Sequence, residues 1–249
     1  MKVFKDIVII SVLAVFTNSC GELFLDCYEG NGKAGYINID PGKYTDFDEI
    51  VSRGSFDIIV EGDTSKRYIR VEGDENLLDR IVVEERGSTL YIELENDKCI
   101  SPELGMKIYV GTPAMEYSEL EGSGNIIIND LQEDKLETVI SGAGNITINN
   151  CIVSNTYKAS IEGTGNINAT GKCTNVEYNI DGSGNIYADN FKSSHCYVNI
   201  DGSGYAHVHA YSTLDVKIDG TGTVYYSGTV TEDNITVDID GYGSVEPKN

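Results

Sequence analysis

A Gly-x-Gly phrase returns seven times in the second half of this chain of 249 residues, with first glycines at Gly122, Gly142, Gly163, Gly182, Gly202, Gly220 and Gly241. The intervals are 20, 21, 19, 20, 18 and 21 residues. A period so nearly constant makes each copy one structural unit stacked on the next. Within a copy the apolar positions recur at every second residue, the mark of strands with one buried face. Two residues before the phrases stand Leu120, Ile140, Ile161, Ile180, Ile200, Ile218 and Ile239. Four after the first glycine stand Ile126, Ile146, Ile167, Ile186, Ala206, Val224 and Val245. Two further columns, four and six residues before, begin at Thr138 and Leu136. No Pro occurs between Pro113 and Pro247, so nothing removes a donor from the strand ladders. Glycine at both ends of the phrase permits a corner closed to other residues.

Two arrangements produce such a pattern. In a parallel β-helix each copy is one coil, and like residues stack about 4.8 Å apart. In an antiparallel meander each phrase is a hairpin tip. Identity down the columns favours like on like. The expected fold is all-β: a right-handed parallel β-helix, or solenoid, of about seven 20-residue coils over residues 116–249. Residues 45–115 contain "SFDIIVEG", "RYIRVEG", "TLYIELE" and "MKIYVG", which alternate likewise but lack the glycine period. They are expected as a leading region of short β-strands that covers one end of the solenoid. Residues 20–44 read as a flexible tether.

The N-terminus gives the tether its purpose. Lys2 and Lys5 precede the apolar run 7–16, which fits a signal peptide and is too short to span a bilayer comfortably. Thr17-Asn18-Ser19-Cys20 then resembles a bacterial lipobox, in which residues 1–19 are removed and the Cys is lipidated. Thr17 departs from the Leu favoured three residues before that Cys, and the alternative is ordinary secretion with cleavage nearby. Cys20 is the expected lipid attachment site. The expected address is the cell envelope, as an outer-membrane lipoprotein facing the periplasm or the cell surface. No later segment is long and apolar enough to span a membrane, so the bilayer is met through the lipid. Lys+Arg number 18 against 40 Asp+Glu, a net charge of −22. Such a chain repels phosphates and anionic lipid surfaces, which argues against nucleic acid as a partner.

None of the six cysteines shows CxxC spacing. Cys151 lies nine residues after Gly142 and Cys173 ten after Gly163. On adjacent coils those positions fall within disulfide range, which predicts a Cys151–Cys173 bridge in the oxidising envelope. Cys196 falls in an inward column and is expected as a buried free thiol. Cys27 and Cys99 are left as a second pair, tying the tether to the leading strands.

Several features invite chemistry and have plainer readings beside them. The glycine phrase lacks the third spaced glycine and the following helix of a phosphate cradle, so it reads as a corner. The residue before each first glycine is Glu121, Ser141, Glu162, Asp181, Asp201, Asp219 or Asp240, an acidic column. Neighbouring charges at that spacing repel by about 1 kcal/mol in water. The favoured reading has these carboxylates accepting hydrogen bonds from the turn backbone. The alternative is a row of weak Ca²⁺ sites, although the GGxGxD repeat of calcium-binding β-rolls is absent. Asn125, Asn145, Asn166 and Asn185 form a column whose side-chain amides can hydrogen-bond from coil to coil. Tyr187, His207 and Tyr225 occupy one outward column, and Tyr205 lies two residues before His207 on the same face. An exposed aromatic strip is where a sugar ring could stack, although Tyr also favours strands for its own sake. His207-x-His209 has the spacing of a metal pair. No carboxylate or Cys in the same strand completes the set, so the two are read as strand residues and no metal is expected. No cofactor and no catalytic residue is expected either: spacing of 18–21 residues leaves no room for the long loops that would gather paired carboxylates.

The serial phrase, with what precedes it, resembles the putative auto-transporter adhesin family that carries the head GIN domain. The resemblance is carried by "FDEIVSRGSFDIIVEGD", "STLYIEL" and "MKIYVGTPAMEYSELEGSGNIII", then by repeated "GSGNI" and "GAGNI", and covers roughly residues 45–249. Later copies depart from it, with Tyr205, Thr223 and Ser244 in place of Asn. The resemblance implies a β-solenoid and an envelope protein of Gram-negative bacteria, often a lipoprotein. It brings no set of catalytic residues. The expected function is a surface binding or adhesion module for a glycan or a protein partner. The alternatives are a polysaccharide-active β-helix enzyme and a purely structural envelope component.

Overall fold

The computed structural model describes residues 27–44, 46–62, 65, 67–95 and 99–248. The targeting run, Cys20 and the first residues of the expected tether lie outside the described residues.

The described chain is all-β, and the repeats pair in parallel throughout. This excludes the antiparallel meander. The isoleucine column stacks in register: Ile140 aligns with Ile161, Ile161 with Ile180, Ile180 with Ile200, and Ile200 with Ile218. The column after the glycines does the same, from Ile126 through Ile146, Ile167 and Ile186 to Ala206 and Val224. These residues are buried and form one continuous core along the solenoid axis. The core also takes in aromatic rings. Tyr157 sits between Tyr178 and Phe191, with ring centroids 6.1 and 4.9 Å away. The Tyr157 hydroxyl stays inside, 2.9 Å from Thr138 Oγ1.

Close backbone stacking is what demands glycine at the corner. A Cβ on Gly144 would stand 1.8 Å from the carbonyl oxygen of Gly124 in the coil before. Conformation adds a second demand only later in the chain. Gly202 has φ +146°, and its Cβ would meet the Gly182 carbonyl oxygen at 2.4 Å.

The stack does not begin at residue 116. Glu49–Arg53 and Asp57–Glu61 lie parallel to Tyr117–Leu120 and Asn125–Asn129. Thr89–Leu94 and Lys107–Gly111 lie parallel to them in turn. The leading strands therefore continue the solenoid. Antiparallel pairing of Ala34–Ile39, Tyr68–Asp74 and Ile81–Arg86 closes that end. The described part of the expected tether belongs to this closure: Tyr28–Glu29 pairs with Ile100–Ser101, Tyr44 is buried, and Cys27 is bonded to Cys99. At the other end, Ile235–Gly241 and Ser244–Pro247 each pair on one side only. The inward column there, Val237 and Ile239, is partly exposed.

The expected Cys151–Cys173 bridge is not formed. Both thiols are free and buried, as is Cys196. Cys151 aligns with Gly171, whereas Cys173 aligns with Val153: the two cysteines already stand nine and ten residues after their glycines, and the ladder slip between Ile148 and Cys151 adds a second residue of offset. The two sulfurs are thus offset by two residues along the strands. Burial pushes the Cys151 thiol up from 9.0 to about 11, and Cys196 rises for the same reason.

Candidate functional site

The expected aromatic column exists, and it faces outward. Register runs Ile127, Thr147, Asn168, Tyr187, His207, Tyr225, Glu246 from coil to coil. Alternation forces the direction: Ala206, Val208 and Ala210 point into the core, so His207 and His209 point out. The rings of Tyr187 and His207 stack with centroids 5.4 Å apart and planes 30° apart, and those of His207 and Tyr225 with 4.8 Å and 28°.

That geometry alters the sugar-stacking expectation. The three rings spend their faces on one another, so His207 has no face to offer. Two outer faces are left, that of Tyr187 towards Asn168 and that of Tyr225 towards Glu246. Tyr187 is 41% exposed. Tyr205 is also outward and exposed, but it stacks on no ring among the described residues. Its backbone N–H caps the asparagine column through Asn185 Oδ1 at 3.0 Å.

The asparagine column is a hydrogen-bonded ladder. Asn185 Nδ2 donates to Asn166 Oδ1 at 2.8 Å, Asn166 to Asn145 at 3.1 Å, and Asn145 to Asn125 at 3.1 Å. Asn125 ends it on Asp57 Oδ1 at 2.7 Å. A second, shorter ladder runs Asn149 to Asn129 to Glu61 at 2.9 and 3.0 Å. The acidic column behaves otherwise than expected. Asp181, Asp201, Asp219 and Asp240 are exposed and accept no hydrogen bond from the turn backbone among the described residues. Solvent supplies what the turn does not. Glu121 pairs with Arg53 through two contacts of 2.8 Å, and Ser141 donates to Glu119 Oε1 at 2.7 Å.

Beside the aromatic column lies a cluster whose partners the sequence did not connect. Against the single residue Val208, the preceding coil places four residues between Tyr187 and Lys192. This bulge carries Asp189 towards the histidines of the next coil. Asp189 Oδ2 is 3.7 Å from His207 Nδ1 and 2.8 Å from Lys248 Nζ. His209 Nδ1 is 3.0 Å from Ser227 Oγ. Burial pushes both imidazoles below their ordinary range, with Asp189 opposing the shift. As the side chains stand, no group of three or more His, Cys, Asp or Glu among the described residues could hold a metal ion. A separate groove of about 460 Å³ opens in the leading region, lined by Tyr36, Arg70, Leu104, Lys107 and Tyr109 among others. No described helix is long and apolar enough to cross a membrane.

Comparison with known proteins agrees with this architecture. A putative adhesin from Bacteroides fragilis NCTC 9343 has a TM-score of 0.76 at 21% identity, over 88% of this chain and 99% of that one. A putative lipid binding protein from Parabacteroides distasonis ATCC 8503 has a TM-score of 0.72 at 28% identity, over 89% and 99%. A putative adhesin from Parabacteroides merdae ATCC 43184 has a TM-score of 0.69 at 22% identity, over 89% and 98%. No curated protein matches the chain significantly. The family model described as "Putative auto-transporter adhesin, head GIN domain" matches residues 46–230, across the continuous stack of leading strands and glycine repeats, and the chain belongs to that family.

Proposed function

We propose that this protein is a non-catalytic binding module of the cell envelope, held at the outer membrane by lipid on Cys20, that engages a glycan at its outward aromatic column. The observation that carries the reading is the stacked column of Tyr187, His207 and Tyr225 on a regular wall, ending in an open tyrosine face beside Asn168. A sugar ring lays its C–H face on such a tyrosine while its hydroxyls reach a side-chain amide. Stacking holds Tyr187 in place before any ligand arrives, which lowers the ordering cost of binding. The names of the family and of the solved relatives, adhesin and lipid-binding protein, favour binding over catalysis. A polysaccharide-active enzyme needs two carboxylates gathered at a defined separation. The acidic column here is instead spread along the axis in solvent, where weak Ca²⁺ contact is the most it offers.

A glycan array probed with the full chain tests the reading. Glycans that bind are expected to lose about tenfold in affinity, about 1.4 kcal/mol, with Tyr187→Ala. Binding that survives Tyr187→Ala and Tyr225→Ala together removes the column from function. Retention of Cys20→Ser in the membrane fraction would remove the anchor.

A further inference from the structure

Asp189 Oδ1, His207 Nδ1 and His209 Nε2 are all buried with no hydrogen-bond partner. Buried polar atoms in folded proteins are almost always satisfied, so three orphans on one stretch of wall mark a place for a further partner. The hydrogen bonding around His209 says what kind. Ser227 Oγ gives its proton to the Val208 carbonyl at 3.2 Å. With its proton on that carbonyl, the same oxygen, 3.0 Å from His209 Nδ1, can only accept there, and Nδ1 then carries the hydrogen. His209 Nε2 is then a bare lone pair, buried and unused. His207 is clamped between Tyr187 and Tyr225, which fixes its ring plane, and its Nδ1 edge lies towards Asp189 at 3.7 Å.

We propose that Asp189, His207 and His209 form a binding site for a divalent transition-metal ion of the zinc class, completed when the Lys248 ammonium releases Asp189. Two imidazole nitrogens and one carboxylate oxygen are a three-ligand set of that class, with a fourth position left for solvent or a partner. Two nitrogen donors disfavour Ca²⁺ and Mg²⁺, which take oxygen ligands. Ser227 plays the part of the outer group that orients a ligating histidine through its other nitrogen. The bulge between Tyr187 and Lys192 supplies the carboxylate that the strand His207-x-His209 lacks. Lys248 explains why the three side chains do not already close to coordinating distance. Its ammonium sits 2.8 Å from Asp189 Oδ2, a cation already on the carboxylate. Lys192, aligned with His209, adds a second positive charge and limits the affinity to a moderate one.

The test is calorimetric titration of zinc sulfate into the metal-stripped full chain, with excess Ca²⁺ present to occupy exposed carboxylates. One equivalent is expected to bind per chain. His207→Asn with His209→Asn should abolish that binding, and Ser227→Ala should weaken it by about tenfold. Lys248→Met should tighten it, because the competing ammonium is gone. Binding unchanged in the double histidine variant, or absent up to about millimolar zinc, overturns the proposal. If that variant does not fold, as judged by its thermal midpoint, Lys248→Met decides: unchanged or weaker binding overturns the site.

Discussion

Asn145 and Gly144 stand side by side at one corner and hold it in different ways. Asn145 is a link in the amide ladder, donating to Asn125 and accepting from Asn166. Asn145→Ala leaves both neighbours short of a bond, a cost of about 1–3 kcal/mol, nearer the lower end because the site is only partly buried. Gly144→Ala drives a Cβ into the Gly124 carbonyl oxygen, which belongs to a paired backbone and cannot turn aside. Overpacking of that kind costs about 1–3 kcal/mol or more. Urea unfolding of the two variants should therefore place Gly144→Ala below Asn145→Ala, and the reverse order would deny that backbone contact is what selects glycine. The buried thiols add a pH dependence. In the unfolded chain Cys151 ionises near 9.0, while in the fold it keeps its proton to about 11. The stability it contributes is full below pH 9 and is lost as pH climbs towards 11, with Cys173 and Cys196 acting in the same direction. A urea midpoint that falls between those values in the native chain, and falls less in Cys151→Ala, is the expected result.

Along each coil, order is strict on the two stretches that flank the glycine corner and loose on the third. The ladder slips between Ile148 and Cys151, Val153 and Thr156, Asn168 and Thr170, and Tyr187 and Lys192. Two further slips lie between Glu133 and Lys135 and between Ser193 and His195, and all six fall in that third stretch, which absorbs the variation from 18 to 21 residues per copy. This explains what the sequence made legible. Counting from the glycines placed Ile180 over Ile200 and His207 between Tyr187 and Tyr225, because no bulge intervenes. The same counting misplaced Cys173 against Cys151 and gave no hint of Asp189, because bulges do intervene. The shorter ladder of Glu61, Asn129 and Asn149 went unread since its residue type recurs in only two copies. Maleimide should leave Cys151, Cys173 and Cys196 unlabelled in the native chain and label all three in denaturant. Protection by a Cys151–Cys173 disulfide in denaturant without reductant would restore the discarded bridge.

At the scale of the molecule, coils touch only their neighbours, so stability is a sum of coil and interface terms and the ends matter most. One end is closed by antiparallel strands and the Cys27–Cys99 bond, whereas the other ends on half-paired strands with Val237 and Ile239 in part exposed. The leading region looked separate in sequence because it lacks the G-x-G phrase. Gly54 alone serves that corner, and the strands either side still pair in register with the first repeat. The whole account rests on coil-to-coil register, and paired cysteines test it most directly. Asn179 and Asn199 face outward on adjacent coils and are aligned, with Lys217 one coil further on. The chain carrying Asn179→Cys and Asn199→Cys should form a disulfide under mild oxidation, seen by non-reducing peptide mapping, while Asn179→Cys with Lys217→Cys should not. Efficient bridging of the second pair and none of the first would contradict the stacked solenoid.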